Sequence, residues 1–353
     1  MCKTIVAAKL VYCDKIEMSK ILISLILILI GANSLAQTIT PKALGFEEHK
    51  LTDEEFGEVN YYLSIDSTNT QKTLLVYLDG SGAYPLFHKT DIGIGSTVVI
   101  DFQQLRNEYK ILLISKPGVP FVDTVQNDEN GFPVYEEPIS YKENLSLDWR
   151  VNSANSIINK LVDEKKIDTS KIVVFGFSEG AQVGPRLAKE NKNITHLLLF
   201  GGNGLNQLFD PIINARMKAT RGQISEVDAQ KEIDSLFTEY KNIYRDKKNT
   251  DKEWWGHSYK RWASFTETDP YKYLLELEIP IYIANGSLDE NSVLSADYIQ
   301  LEFIKNGKDN LTYKIYSNCD HQFNEIITEN GKFIEAKPKL NIVMESAFEW
   351  LKK

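Results

Sequence analysis

Lys171-Ile172-Val173-Val174-Phe175-Gly176-Phe177-Ser178-Glu179-Gly180-Ala181 decides the reading of this chain. Ile172 to Phe175 are four consecutive apolar residues, the composition of a strand buried on both faces. They run into Gly-x-Ser-x-Gly, and helical spacing resumes at once from Gln182 to Glu190. A buried strand that ends in a sharp turn and restarts as a helix is the layout of a nucleophile elbow, with Ser178 at its apex. Gly176 and Gly180 suit so tight a turn, which leaves little room for Cβ atoms beside the serine.

Outward from the elbow, strands and helices alternate. Lys72–Leu78 and Ile111–Ile114 read as buried strands before it, and His196–Phe200, Pro280–Ala284 and Leu311–Tyr316 as strands after it. Val59–Ile65 alternates like an exposed antiparallel edge strand, whereas the polar stretch from Thr38 to Phe56 reads as a lead-in loop. Helices are expected over Val98–Tyr109, Ser146–Lys165, Ala296–Lys305 and Leu340–Leu351, with loops over residues 121–145. The alternation predicts an α/β fold, a mostly parallel sheet covered by helices on both faces. Residues 203–268 break the pattern. Ile224–Tyr244 is amphipathic, and Trp254, Trp255, Trp262 and Phe265 follow closely, so this segment is expected to form a helical cap. Trp254 and Trp255 are either cap core or a wall for substrate.

In an open parallel sheet the loops after the strands gather along one edge, where ligands bind. Ser178, Asp289 and His321 each stand in such a loop. A serine hydroxyl needs a base to take its proton, and the base needs a carboxylate to hold its tautomer. His321 is the candidate base and Asp289 the candidate carboxylate, with Glu290 and Asp320 as rivals. The order Ser…Asp…His fits this architecture.

On these segments, together with Leu74–Gly82, the chain resembles the α/β-hydrolases, in the style of the dienelactone-hydrolase, acyl-esterase and prolyl-oligopeptidase branch. The resemblance covers most of residues 70–353 and leaves the cap unmatched. It implies Ser178 as nucleophile, His321 as general base then acid, and Asp289 as orienting acid. It also implies an oxyanion hole made by the N–H of Glu179 and a second N–H from Ser81 or Gly82. Many relatives carry His-Gly in that second loop, where this chain has Asp79-Gly80. An aspartate there must turn away or be paired, for which Lys116 is a candidate, and Lys116 is also a candidate substrate contact.

Other chemistries lack support in the sequence. The net charge of −9 disfavours nucleic acid, which calls for a basic face. Gly93-Ile94-Gly95 lacks the rest of a dinucleotide fingerprint, no phosphate loop is present, and His49, His88, His196 and His257 are scattered, so neither cofactor nor metal is expected. Cys319 reads as a packed thiol.

Met18-Ser19-Lys20, the apolar run Ile21–Ile30 and the small residues around Ala36 read as a secretory signal cleaved after Ala36. Residues 1–36 are thus expected to be removed, residues 1–17 to be an upstream extension of a start at Met18, and residues 37–353 to form the hydrolase domain. Only one cysteine, Cys319, would remain, which suits export to a periplasm or beyond without an intrachain disulfide. No stable membrane insertion is expected afterwards.

The expected function is cleavage of a carboxylic ester in a small acyl substrate. The alternatives are a small-peptide serine peptidase and a silent binding protein on a hydrolase scaffold.

Overall fold

Two antiparallel strands open the sheet, and everything parallel is stacked beside them. In the computed structural model, which describes residues 39–65, 71–90, 93–129, 133–290 and 292–353, eight strands form one sheet. They are β1 (Phe46–Asp53), β2 (Gly57–Ser64), β3 (Thr73–Leu78), β4 (Tyr109–Ile114), β5 (Asp168–Phe177), β6 (His196–Phe200), β7 (Ile281–Gly286) and β8 (Leu311–Tyr316). Their order across the sheet is β1-β2-β4-β3-β5-β6-β7-β8. The β1/β2 and β2/β4 pairs are antiparallel and all later pairs parallel. The expected leader, residues 1–36, and the start at Met18 lie outside the described residues.

Alternation within β3 shows why the sheet is covered twice. Leu74, Val76 and Leu78 enter one apolar cluster with Val151, Ile158, Val183 and Ile299, while Leu75 and Tyr77 enter another with Phe102, Val343 and Ala347. Helices α1 (Leu147–Asp163), α2 (Gly180–Glu190) and α7 (Val293–Lys305) supply the first face, and α8 (Leu340–Trp350) packs on the second. Each fully buried aliphatic side chain contributes about 1.5–3 kcal/mol, so the continuous apolar strands are what hold the layers together. Ser146 caps α1, its hydroxyl accepting from the N–H of Trp149 at 3.1 Å.

Between β6 and β7 lie α3 (Asp210–Thr220), α4 (Glu226–Arg245), α5 (Tyr259–Thr266) and the short α6 (Pro270–Leu275). Leu208, Leu236, Tyr240, Ile243, Tyr259, Trp262 and Ala263 form a small core of their own, with Trp254 and Ile212 packed against it. Phe265 instead joins the main core.

Several expectations change. Thr38–Phe56 is not only a loop: β1 pairs with β2 along its whole length, so β2 lies one place in from the edge. An outermost strand needs only one buried face, and in β1 His49, Leu51 and Asp53 are half-buried on one side while Glu48, Lys50 and Thr52 are exposed on the other. The helix expected over Val98–Tyr109 shrinks to Phe102–Leu105. The Tyr77 hydroxyl donates to the Thr97 carbonyl and accepts from the Val99 N–H, which fixes that stretch outside a helix. Residues 121–145 include the helix Ile139–Asn144. A hairpin, Asn324–Glu329 with Lys332–Pro338, follows β8 and had no counterpart among the expected elements.

Candidate active site

Ser178 occupies a left-handed backbone conformation, φ +55°, between the end of β5 and the start of α2. Such a conformation costs a non-glycine residue roughly 1–3 kcal/mol and persists only where the surroundings impose it. Here the Ser178 N–H donates to the Phe200 carbonyl at 2.8 Å, and its own carbonyl accepts from the Ala181 N–H at 3.0 Å. A Cβ on Gly176 would lie 2.3 Å from the Gly180 carbonyl oxygen, and one on Gly180 would lie 2.0 Å from that of Leu78. Both glycines of the motif are therefore steric requirements of the turn.

The loops after β7 and β8 bring the other two groups to Ser178. His321 Nε2 stands 3.0 Å from Ser178 Oγ, and Nδ1 stands 2.7 Å from Asp289 Oδ2. With the carboxylate holding the Nδ1 proton, Nε2 is left to accept from the serine hydroxyl. Asp289 is buried, and the Ser292 hydroxyl also donates to its Oδ2. Burial pulls the His321 imidazole down, but the hydrogen bond and charge of Asp289, with Asp320 adding to them, leave it above its ordinary value. The rival carboxylates are engaged elsewhere. Glu290 pairs with Arg221, and Asp320 accepts from the backbone of Gln322 and Asn324 within its own loop.

The loop after β3 runs alongside the serine: a Cβ on Gly80 would stand 3.3 Å from the Ser178 Cβ. The N–H groups of Glu179, Ser81 and Gly82 donate to no acceptor among the described residues. Gly82 follows at φ +88°. Asp79 is paired. Its carboxylate meets Lys116 at 2.8 Å and Arg150 at 2.9 Å. Arg150 continues to Glu179 at 3.0 Å, and Glu179 to Arg261 of α5 at 2.6 Å. All five side chains lie in residues no more than 5% exposed. Burial alone would raise the Glu179 carboxyl, but Arg261, Arg150 and Lys116 together hold it at about 2.

Lys116 is buried, its ammonium taken by Asp79 and by the carbonyls of Gly80 and Gly82 at 2.5 and 2.7 Å. Trp254 and Trp255 stack at 4.2 Å, the first against Trp262 and Tyr240, the second 62% exposed on the hairpin before α5. Cys319 is buried, and burial raises its thiol further from reactivity. Among the described residues no three metal-ligating side chains cluster.

Sequence reasoning missed Arg150, Arg261, Gly201 and Asp210. Arg150 left a trace, since it interrupts the apolar face of α1 between Leu147 and Ala154. Gly201, at φ +61°, lies so close beneath His321 that a Cβ would stand 3.0 Å from the imidazole. The Asp210 carboxyl, held by Asn203, is pushed well above its usual range by burial and by the charge of Asp289.

The strand order and the placement of these loops are those of the α/β-hydrolase fold, and solved structures agree. An acylaminoacyl peptidase of Pyrococcus horikoshii superposes with a TM-score of 0.50 at 14% identity, over 78% of this chain and 38% of that one. An acylaminoacyl peptidase in complex with Z-Gly-Gly-Phe-chloromethyl ketone gives 0.53 at 13% identity, over 90% and 44%. An esterase of Pyrococcus furiosus gives 0.46 at 16% identity, over 82% and 89%. The chain therefore spans less than half the length of either peptidase. No protein-family model matches the chain, and no curated protein matches its sequence.

Proposed function

We propose that this protein is a serine hydrolase that cleaves a carboxylic ester through an acyl-enzyme. The observation that carries the reading is the unbroken run from Asp289 through His321 to the strained hydroxyl of Ser178. His321 Nε2 takes the hydroxyl proton as Ser178 Oγ adds to the acyl carbonyl, and Asp289 stabilises the imidazolium that forms. The carbonyl oxygen becomes an oxyanion facing the N–H of Glu179 and one from the loop after β3. Collapse breaks the bond to the leaving alcohol, which receives the proton from His321. Water then loses a proton to His321 and attacks the acyl-enzyme, and His321 returns that proton to Ser178 Oγ as the acid leaves. Each oxyanion donor can contribute on the order of 3 kcal/mol to such a transition state.

A peptide bond is the second reading, favoured by the two acylaminoacyl peptidases among the structural neighbours. The elements between β6 and β7 act in this proposal as a cap that shapes the substrate site, and the leader at residues 1–36 directs export. Sequencing the amino terminus of the protein recovered outside the cytoplasm tests the leader; a mature chain beginning at Gln37 is expected, and one retaining Met18 contradicts it.

The deciding experiment compares nitrophenyl esters of rising chain length with aminoacyl nitroanilides, using Ser178→Ala as control. Ester turnover that exceeds anilide turnover and vanishes in the variant supports the esterase reading. Anilide turnover alone supports the peptidase, and turnover of neither leaves a binding scaffold.

A further inference from the structure

Two features of the buried ion network go beyond neutralising Asp79. The first is direction. Lys116 Nζ holds the Gly80 carbonyl at 2.5 Å and the Gly82 carbonyl at 2.7 Å, one on each side of Ser81. The Gly80 carbonyl and the Ser81 N–H belong to one planar trans peptide, so a carbonyl aimed at Lys116 sends that N–H the opposite way. Arg150 does the same one residue earlier, donating from Nη2 to the Asp79 carbonyl at 3.1 Å while its Nη1 grips the Glu179 carboxylate. One guanidinium thereby ties the loop after β3 to the residue that follows the nucleophile.

The second feature is charge. Lys116, Arg150 and Arg261 bring three cationic side chains against the carboxylates of Asp79 and Glu179; burial lowers the Lys116 ammonium from its ordinary value, and the charge of Asp79 opposes that. Among the described residues no further carboxylate forms an ion pair with the network. Gln207, which accepts from Arg261 at 2.6 Å, is neutral, and the Nε of Arg261 has no partner among the described residues. His257 lies in the field of Arg261 and Lys116, and burial together with the Arg261 charge holds it at about 4, so it stays neutral near pH 7.

We infer that this network belongs to the transition-state machinery. Lys116 and Arg150 are positioning residues that aim the Ser81 N–H and fix its spacing from the Glu179 N–H, and the unbalanced positive charge behind both donors is the counter-charge for the oxyanion. Fixed charge and fixed dipoles in a water-poor site stabilise a developing anion without reorganising during the reaction. The substrate carbonyl is neutral before attack, so the effect falls on turnover and not on substrate binding. Ser81, whose peptide carbonyl partner Lys116 holds, is then the second donor. The inference rests on the hydrolase reading proposed above.

The test uses the ester on which the wild-type enzyme is most active, and a trifluoromethyl ketone bearing the same acyl chain. Ser178 adds to that ketone to give an anionic hemiketal, which reports oxyanion stabilisation directly. For Lys116→Met and Arg150→Gln, kcat is expected to fall about 100-fold and the ketone Ki to rise in parallel, with KM within about threefold of wild type. Arg150→Lys, which keeps the charge and part of the bonding, is expected to recover at least tenfold of the loss. Thermal unfolding identifies a variant that has failed to fold. If one of the first two does, the other decides, because each removes one positive charge from a different element. A folded variant with wild-type kcat and ketone Ki overturns the inference, as does one in which only KM changes. If wild-type protein neither turns over ester or anilide nor binds the ketone, it is the hydrolase reading that has failed.

Discussion

Two layers meet at Ser178. On the rim, the imidazole of His321 is partly open to solvent; its Nδ1 donates to Asp289 at 2.7 Å and its Nε2 accepts from Ser178 at 3.0 Å. Beneath it, Lys116, Arg150, Asp79, Glu179 and Arg261 are sealed from water and bound to one another. The two layers titrate differently. Asp289 raises His321 above the usual histidine value, while Arg261, Arg150 and Lys116 hold Glu179 at about 2, so the buried carboxylate keeps its charge while the rim imidazole titrates. The contrast teaches that a site which moves protons needs both kinds of group: one soft enough to exchange a proton, and a fixed set whose field does not change while it does so.

Attacking the rim gives the largest effect. Ser178→Ala is expected to lower kcat for ester hydrolysis by a factor of roughly 10⁶, read in a steady-state nitrophenolate assay. Asp289→Asn follows, with a loss of about 10⁴ because the imidazole loses the partner that sets its tautomer. The same substitution sharpens the contrast through pH. His321 must be neutral to act as base, so wild-type kcat/KM rises with pH through the raised His321 pKa. In Asp289→Asn the acid limb of the profile is expected to move to lower pH, since both terms contributed by Asp289 are gone.

The lower layer is expected to show itself in acid stability. The folded Glu179 carboxyl lies below its unfolded value, so its contribution is complete above about pH 4.5 and is lost as the pH falls toward about 2. Unfolding free energies from urea titrations between pH 6 and pH 3 are expected to fall more steeply for wild type than for Glu179→Gln, by about 2 kcal/mol over that range. Equal slopes would mean that the network does not hold Glu179 charged. The smallest effect is expected at the rival carboxylate. Glu290 pairs with Arg221 in the open, and Glu290→Ala should leave ester turnover within about twofold and stability within about 1 kcal/mol.

The two layers also differ in how far the sequence reveals them. Ser178 and its glycines are legible because the turn admits only certain residues, the closest approaches being 2.3 and 2.0 Å. Asp289 and His321 are legible because each follows a strand whose apolar run is easy to see. Arg150 and Arg261 come from the sides of helices and meet residues 29 and 82 positions away in the chain, and no local rule restricts what a helix side must carry. A cation within the apolar face of α1 was the available clue. Lys116 shows the limit from the other side: its pairing with Asp79 could be anticipated, but its hold on two carbonyls depends on the path of the loop after β3. The same holds for β1, whose partner β2 supplies the order that its own polar residues do not.

The account stands most directly on Ser178 being a nucleophile activated in place. Intact-mass measurement after exposure to a fluorophosphonate, with the adduct mapped by peptide sequencing, tests it in one step. A single adduct on Ser178 is predicted, absent from Ser178→Ala and formed far more slowly in His321→Ala. A folded protein that takes up no reagent, or carries it at another residue, would contradict the account.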